Sequence, residues 1–346
     1  MLPQAGIWQE LRQRALDTVQ LGTKVPFSSP PTLQEWLRIG AFTVVGTTRR
    51  SFTLHAASTE VSSALLSESL HSADHALEHA VSLRNQLACG RWSSPAWTTV
   101  TFYYWAYHVA VALTRLLGKT VWFVSPTLAC QLSFLAGNGA PQPGSGPYTL
   151  ECGSILSATQ REITITRSSQ TRVHHALWKI WFSELRACTK TAVAGKASGA
   201  EARLYLSLIG AANLLGDTWP SDLRNDLNYT IGVGYGAVRR NTPSAVYSAI
   251  LVDPPSTVMQ MIGRLEANVS GLVHGLPTSQ QITLATRVLV DTVFAMEIVL
   301  RMLLQEVSER RGIDRRWTNA RSAFAKLHAA GFDVEIWPCQ DDNEAA

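Results

Sequence analysis

The residues best suited to chemistry on a phosphate form one short run, Arg224-Asn225-Asp226-Leu227-Asn228-Tyr229. On a helix, Arg224 and Asn228 share one face, and Asn225 and Tyr229 share the next. A guanidinium presents a planar fork that matches phosphate oxygens, and a neighbouring amide can orient it. The plain structural alternative is a polar helix turn whose arginine pairs with Asp222 or with a carbonyl. A second run, Tyr103-Tyr104-Trp105-Ala106-Tyr107-His108, places hydroxyls and an imidazole in an otherwise apolar stretch. Each of these groups needs a hydrogen-bond partner once buried. His108 is a candidate general acid or base, the alternative being a satisfied core histidine.

Two further groups of residues carry chemistry-bearing side chains. His71, His75 and His79 recur at steps of four, with Asp74 and Glu78 between them. A pair of histidines four apart can chelate zinc or nickel. Three in a line span about 12 Å of helix axis, too far for one ion, which leaves only a pair with an outside ligand; no metal site is expected at the ladder, and no cofactor is expected. A solvated face is the simpler reading of this ladder. Near the C-terminus, Arg310, Arg311, Arg315, Arg316, Arg321 and Lys326 alternate with Trp317 and Phe324, opposed by Asp314. Basic residues beside aromatics suit a nucleic-acid backbone and stacked bases. Arg315, Arg316, Trp317 and Arg321 are therefore candidate nucleic-acid contacts, against the alternative of a solvated helix balanced by the acidic tail. Gly232-Val-Gly-Tyr-Gly236 lacks both the preceding strand and the spacing of a phosphate loop. His174-His175 has no nearby cysteine or paired acid in sequence that would suggest a nucleophile system.

These side chains must be held by elements that the apolar spacing outlines. Glu60 to Leu87 repeats apolar residues at three and four, a long helix. Pro95 opens a second helix, Ala96 to Leu117, which Gly118 ends; it is apolar nearly all round and so belongs at the centre of a bundle. Further helices are predicted over Ile7 to Val19, Leu33 to Ile39 (with Thr32 as N-cap), Val173 to Thr189, Glu201 to Leu215, Ser221 to Arg240 and Ile282 to Val307. Phe42 to Val45 and Ser51 to Leu54 read as a hairpin. Tyr148 to Cys152 and Glu162 to Thr166 read as two short strands after the loop at 137–147, and Asp333 to Trp337 as another strand. The expected class is mainly α, a helix bundle with β-hairpin insertions. Residues 1–58 form an N-terminal extension with short helices and a hairpin. Residues 59–309 form the helical domain with strands inserted near 148–166, and residues 310–346 a basic segment and acidic tail.

Composition supports a folded chain. Of 346 residues, 46% are apolar and 16% charged, with 11 tryptophans, which excludes a disordered or charged-coil protein. A net charge of +4 permits an acidic partner without requiring one. Five scattered cysteines without a CxxC pair fit a reducing compartment, and the N-terminal segment does not read as a signal peptide, so a cytoplasmic location is expected. Phe102 to Leu117 and Ile282 to Leu304 are the greasiest stretches, and their charges (His108, Arg115; Arg287, Asp291, Glu297, Arg301) favour buried helices over membrane spans.

Together, the aromatic helix of the form YYxxYH…LLG and a later helix carrying Arg224-Asn225 resemble the HEPN superfamily, helical domains of prokaryotic toxins and defence proteins. The resemblance spans roughly residues 60–240. It implies a metal-independent endoribonuclease that works as a homodimer, with Arg224 on the scissile phosphate and Asn225 orienting it. The family motif ends in a histidine four to six positions after the arginine; here Tyr229 stands in its place. A phenol titrates near 10 and an imidazole near neutrality, so Tyr229 is a poor general base and His108 the first substitute. Two other functions stay open. One is a non-catalytic helical module that binds a partner protein from a neighbouring gene. The other is a nucleotide sensor whose aromatic helix lines a pocket.

Overall fold

The computed structural model describes residues 8–28, 30–88, 94–137, 141, 144–194, 199–229, 250, 255, 257–272, 278–311 and 313–328. Among them the chain is mainly helical, with one small antiparallel sheet. The order is α1 (Gln9–Thr18), α2 (Leu33–Ile39), β1 (Phe42–Thr47), β2 (Ser51–Ala57), α3 (Ser58–Ala88), α4 (Pro95–Leu116), β3 (Lys119–Val124), α5 (Pro126–Leu135), β4 (Gly146–Ile155) and β5 (Gln160–Arg167). Six helices follow: α6 (Val173–Ala194), α7 (Gly199–Leu215), α8 (Trp219–Tyr229), α9 (Val258–Ser270), α10 (Thr278–Arg311) and α11 (Arg315–His328).

Local chemistry sets several boundaries. Thr32 and Glu35 form a reciprocal capping box at the start of α2, and Gly40 ends that helix at φ 73°. Pro95 occupies the first turn of α4, where no intrahelical N–H is lost. Gly118, at φ 77°, turns the chain out of α4 into β3. The left-handed torsion favours glycine there, and a Cβ would be crowded, 3.0 Å from Thr18 Oγ1 and 3.1 Å from Cys152 Cβ.

α4 is the centre of the molecule, as its composition predicts. Its neighbours are α3, α6, α8 and α10, with β3 at its end. Ala106, Val109, Ala110, Ala112, Leu113 and Leu116 are fully buried along it. Three charges in the apolar stretch of α10 are answered inside the protein: Asp291 by Arg264 and Asn268, and Glu297 by the Trp105 indole at 3.2 Å and Arg301 at 3.4 Å. Among the described residues no helix is long and apolar enough to cross a membrane.

The two hairpins expected separately form one sheet, in the order β1-β2-β5-β4-β3, because β2 pairs with β5 along its whole length. Alternation in β2 turns Phe52, Leu54 and Ala56 to one face, joined by Ile163 and Ile165 of β5. α2, α5 and the start of α3 cover that face through Trp36, Leu37, Leu65, Leu128 and Leu132. β3 and α5 lie in a stretch to which the apolar spacing assigns no element. The burial of β3 is not alternating, so a period-two signal is absent there. The glycine run at 232–236, the distal part of the helix expected to Arg240, the strand at 333–337 and the acidic tail lie outside the described residues.

α11 is fastened to α3 by its own candidate nucleic-acid residues. Trp317 is buried, with its ring 5.3 Å from His71 and 5.1 Å from Phe27. Arg321 is buried too, binding Asp74 at 2.5 Å and the Leu70 carbonyl. Only Arg315 and Arg316 of that set face solvent, and Arg316 is paired with Asp314 at 2.6 Å. Arg321→Ala is expected to cost about 2 kcal/mol, since charge-assisted hydrogen bonds are lost while half-exposed Asp74 regains water. Urea titration of the variant checks this, together with faster amide exchange confined to α11.

Candidate functional site

The two runs singled out in the sequence meet where α8 and the first turn of α6 pack on α4. Tyr103 is fully buried, and its hydroxyl bridges His174 Nδ1 at 2.7 Å and Ser221 Oγ at 2.9 Å. Arg224 lies over the same ring, its guanidinium carbon 5.2 Å from the Tyr103 centroid and 5.9 Å from that of Tyr104. Arg224 does not pair with Asp222. That carboxylate accepts the Thr218 hydroxyl at 2.7 Å and lies 3.7 Å from His175 Nε2. Among the described residues no carboxylate comes within 4 Å of the Arg224 guanidinium, and its buried Nε has no hydrogen-bond partner. An arginine so placed keeps its full charge available to an anion.

From Arg224 the site continues along one stripe of α4, because residues four apart share a helix face. His174 stacks on Tyr107 with centroids 4.2 Å apart and planes 15° from parallel. His108 follows, 5.1 Å from His75 and 5.5 Å from His79; His79 also stacks on Tyr104 at 5.9 Å. The histidine ladder of α3 is thus divided. His71 serves α11, while His75 and His79 turn to α4, and only His71 and His75 remain solvent-exposed. Among the described residues no group of three histidines, cysteines or carboxylates is arranged to hold a metal ion.

Burial governs the electrostatics of this stripe. It holds the His174 imidazole down to about 4, with Arg224 and His175 adding to the effect. It lowers His108 to about 4 as well, reinforced by His79, His75, Arg115 and His174. His79 is lowered in the same way, chiefly by burial and then by His75. Burial pushes the Tyr107 phenol up to about 12 and also raises Tyr103. At neutral pH the site therefore offers neutral imidazoles and intact phenols around the Arg224 guanidinium, which no carboxylate pairs among the described residues. A neutral imidazole can accept a proton, and a phenol can donate a hydrogen bond.

The expected site residues separate accordingly. Arg224 lies half-buried over Tyr103, with Asn225 half-buried beside it. His108 lies on the same stripe, further along α4. Tyr229 ends α8 at 75% exposure, and no hydrogen bond or ring contact joins it to Arg224 among the described residues. Arg315 and Arg316 belong to α11, fastened to the His71 part of α3. His174, Ser221 and Tyr107 complete the cluster and were not expected there. His174-His175 at a helix start was the available signal, but the acid near His175, Asp222, is distant in sequence. Compared with protein-family models, curated proteins and solved structures, the chain matches none of them.

Proposed function

We propose that this protein binds RNA through its phosphodiester backbone at Arg224 and cleaves it by metal-independent transesterification, as a HEPN-like homodimer of a prokaryotic toxin or defence system. The observation that carries the reading is Arg224 held over Tyr103 and Tyr104 with no carboxylate partner among the described residues, on the same tyrosine whose hydroxyl binds His174. His174, rather than Tyr229 or His108, is the proton acceptor in this reading, since it shares Tyr103 with Arg224. Tyr103 is assigned as donor to Ser221 Oγ and as acceptor from His174 Nδ1–H, a tautomer that leaves Nε2 with a free lone pair. Nε2 takes the proton of a ribose 2′-hydroxyl as that oxygen bonds to phosphorus. The P–O5′ bond breaks, and the departing 5′-oxygen takes a proton from the imidazolium. The products are a 2′,3′-cyclic phosphate and a 5′-hydroxyl. Asn225 orients the phosphate, and the homodimer and the defence setting follow from the resemblance.

Arg224→Ala is expected to weaken RNA binding in fluorescence anisotropy and to flatten the slope of log affinity against log salt by about 0.7–0.9, one phosphate contact. His174→Ala is expected to keep RNA affinity and lose about 10²–10⁴-fold in cleavage rate, with chelator leaving the wild-type rate unchanged. Light scattering checks the dimer. Unchanged RNA affinity and cleavage in Arg224→Ala would overturn the reading. RNA bound but left intact by the wild type would remove the cleavage step alone.

A further inference from the structure

One cavity adjoins the Arg224 cluster through Tyr107. It has a volume of about 260 Å³ and is lined by Tyr107, His108, Arg115, Thr120, Val173 and Leu177, among others. Tyr107 belongs to both places, with its ring stacked on His174 while it walls the cavity. Tyr103, under Arg224, lies four residues before Tyr107, about 6 Å of helix axis. The cavity runs on along α4 from Tyr107 to Arg115, so its Tyr107 end is the part nearest the Arg224 site.

The chemistry of the walls selects the occupant. Arg115 is already answered by Glu68 at 2.9 Å and by the Ser72 hydroxyl at 2.7 Å, so the cavity holds no free positive charge for an anion. Among the described residues, Arg224 beside the cavity has no carboxylate partner. Val173 and Leu177 offer apolar surface, Tyr107 and His108 offer rings, and the Thr120 hydroxyl with the His108 imidazole offers both donors and acceptors. His108 stays unprotonated at neutral pH, so it can present one donor and one acceptor. A flat, neutral ring with polar edges meets these requirements, and a phosphate does not.

The geometry points to this cavity as the seat of one nucleobase of the bound RNA, beside the phosphate held at Arg224. The inference rests on the RNA reading for its phosphate neighbour, while the base pocket itself can be tested alone. The probes are the four ribonucleosides, their 3′-monophosphates and inorganic phosphate, titrated calorimetrically into the intact protein. At least one ribonucleoside is expected to bind, and its 3′-monophosphate to bind about tenfold tighter, the effect of one charge-assisted contact. Arg224→Ala should erase that tenfold gain and keep the nucleoside affinity. Val173→Trp, which fills the half-buried rim, should abolish nucleoside binding. His108→Phe keeps a ring but removes the polar edge, and should weaken nucleoside binding; it carries the test if circular dichroism shows Val173→Trp misfolded. The inference is overturned if no ribonucleoside binds at millimolar concentration. It is equally overturned if both pocket variants bind like the wild type, or if inorganic phosphate binds as tightly as the monophosphates. Loss of RNA binding in Arg224→Ala without any nucleoside binding would refute the base pocket and keep the phosphate site. Nucleoside binding with no effect of Arg224→Ala on RNA would refute the phosphate site and keep the pocket.

Discussion

Trp105→Ala is expected to lower the unfolding free energy by about 3–5 kcal/mol, the range for deleting a buried large aromatic side chain. Trp105 is 6% exposed, with its ring 5.5 Å from Phe294 and 5.9 Å from Phe102. Its truncation opens a hole at the contact of α4 with α10. It also removes the indole N–H that Glu297 accepts, and Glu297 is itself buried. A buried carboxylate that loses a donor retains its desolvation penalty, which adds to the cavity. Trp105→Phe separates the two effects. It restores most of the packing and leaves the hydrogen bond missing, so its cost should be about 1–3 kcal/mol. Urea denaturation of both variants, followed by circular dichroism, reads the difference. An alanine variant as stable as the wild type would show that α4 is not the core helix described above.

The second large effect is a loss of stability on mild acidification. In an unfolded chain the imidazoles titrate near 6.5, whereas folding holds His108 and His174 at about 4. Between those values the unfolded chain binds more protons than the native one, so stability rises with pH across that window. As pH falls from about 6.5 to about 4 the contribution of both rings is lost. Each fully unmatched proton contributes about 1.4 kcal/mol per pH unit, reduced by solvent screening at these half-buried rings. Arg224 and His175 face His174, while His75, His79 and Arg115 face His108, so the cluster titrates together rather than ring by ring. Asp291 and Asp226, whose carboxyls burial raises, act in the opposite sense at the acid end. Thermal melts from pH 7.5 to 4.5 should show a falling midpoint, and His108→Phe and His174→Phe should each flatten it. A midpoint independent of pH across this window would contradict the environments assigned to both rings.

Much of this protein is determined locally and can be read from its sequence. The helical periods of α3, α4, α6, α7 and α10, the capping box of Thr32 with Glu35, and the turn at Gly118 depend on neighbours within a few residues. The same holds for the central place of α4, because a helix apolar on every side can be stable only when it is covered on every side. Arg224 and the aromatic run were recognisable from residue type and spacing. Only the tertiary structure decided which side chains join them. His174 reaches Tyr103 across 71 residues, and Ser221 reaches it across 118. No local period carries that information. Packing also decided that Trp317 and Arg321 turn inward and Tyr229 outward, since a residue's type permits either place and the neighbours that cover it select one. The two hairpins became one sheet for the same reason: the pairing of β2 with β5 joins segments about a hundred residues apart. Local pattern can specify each strand, but a partner strand is chosen by the faces that must be buried together.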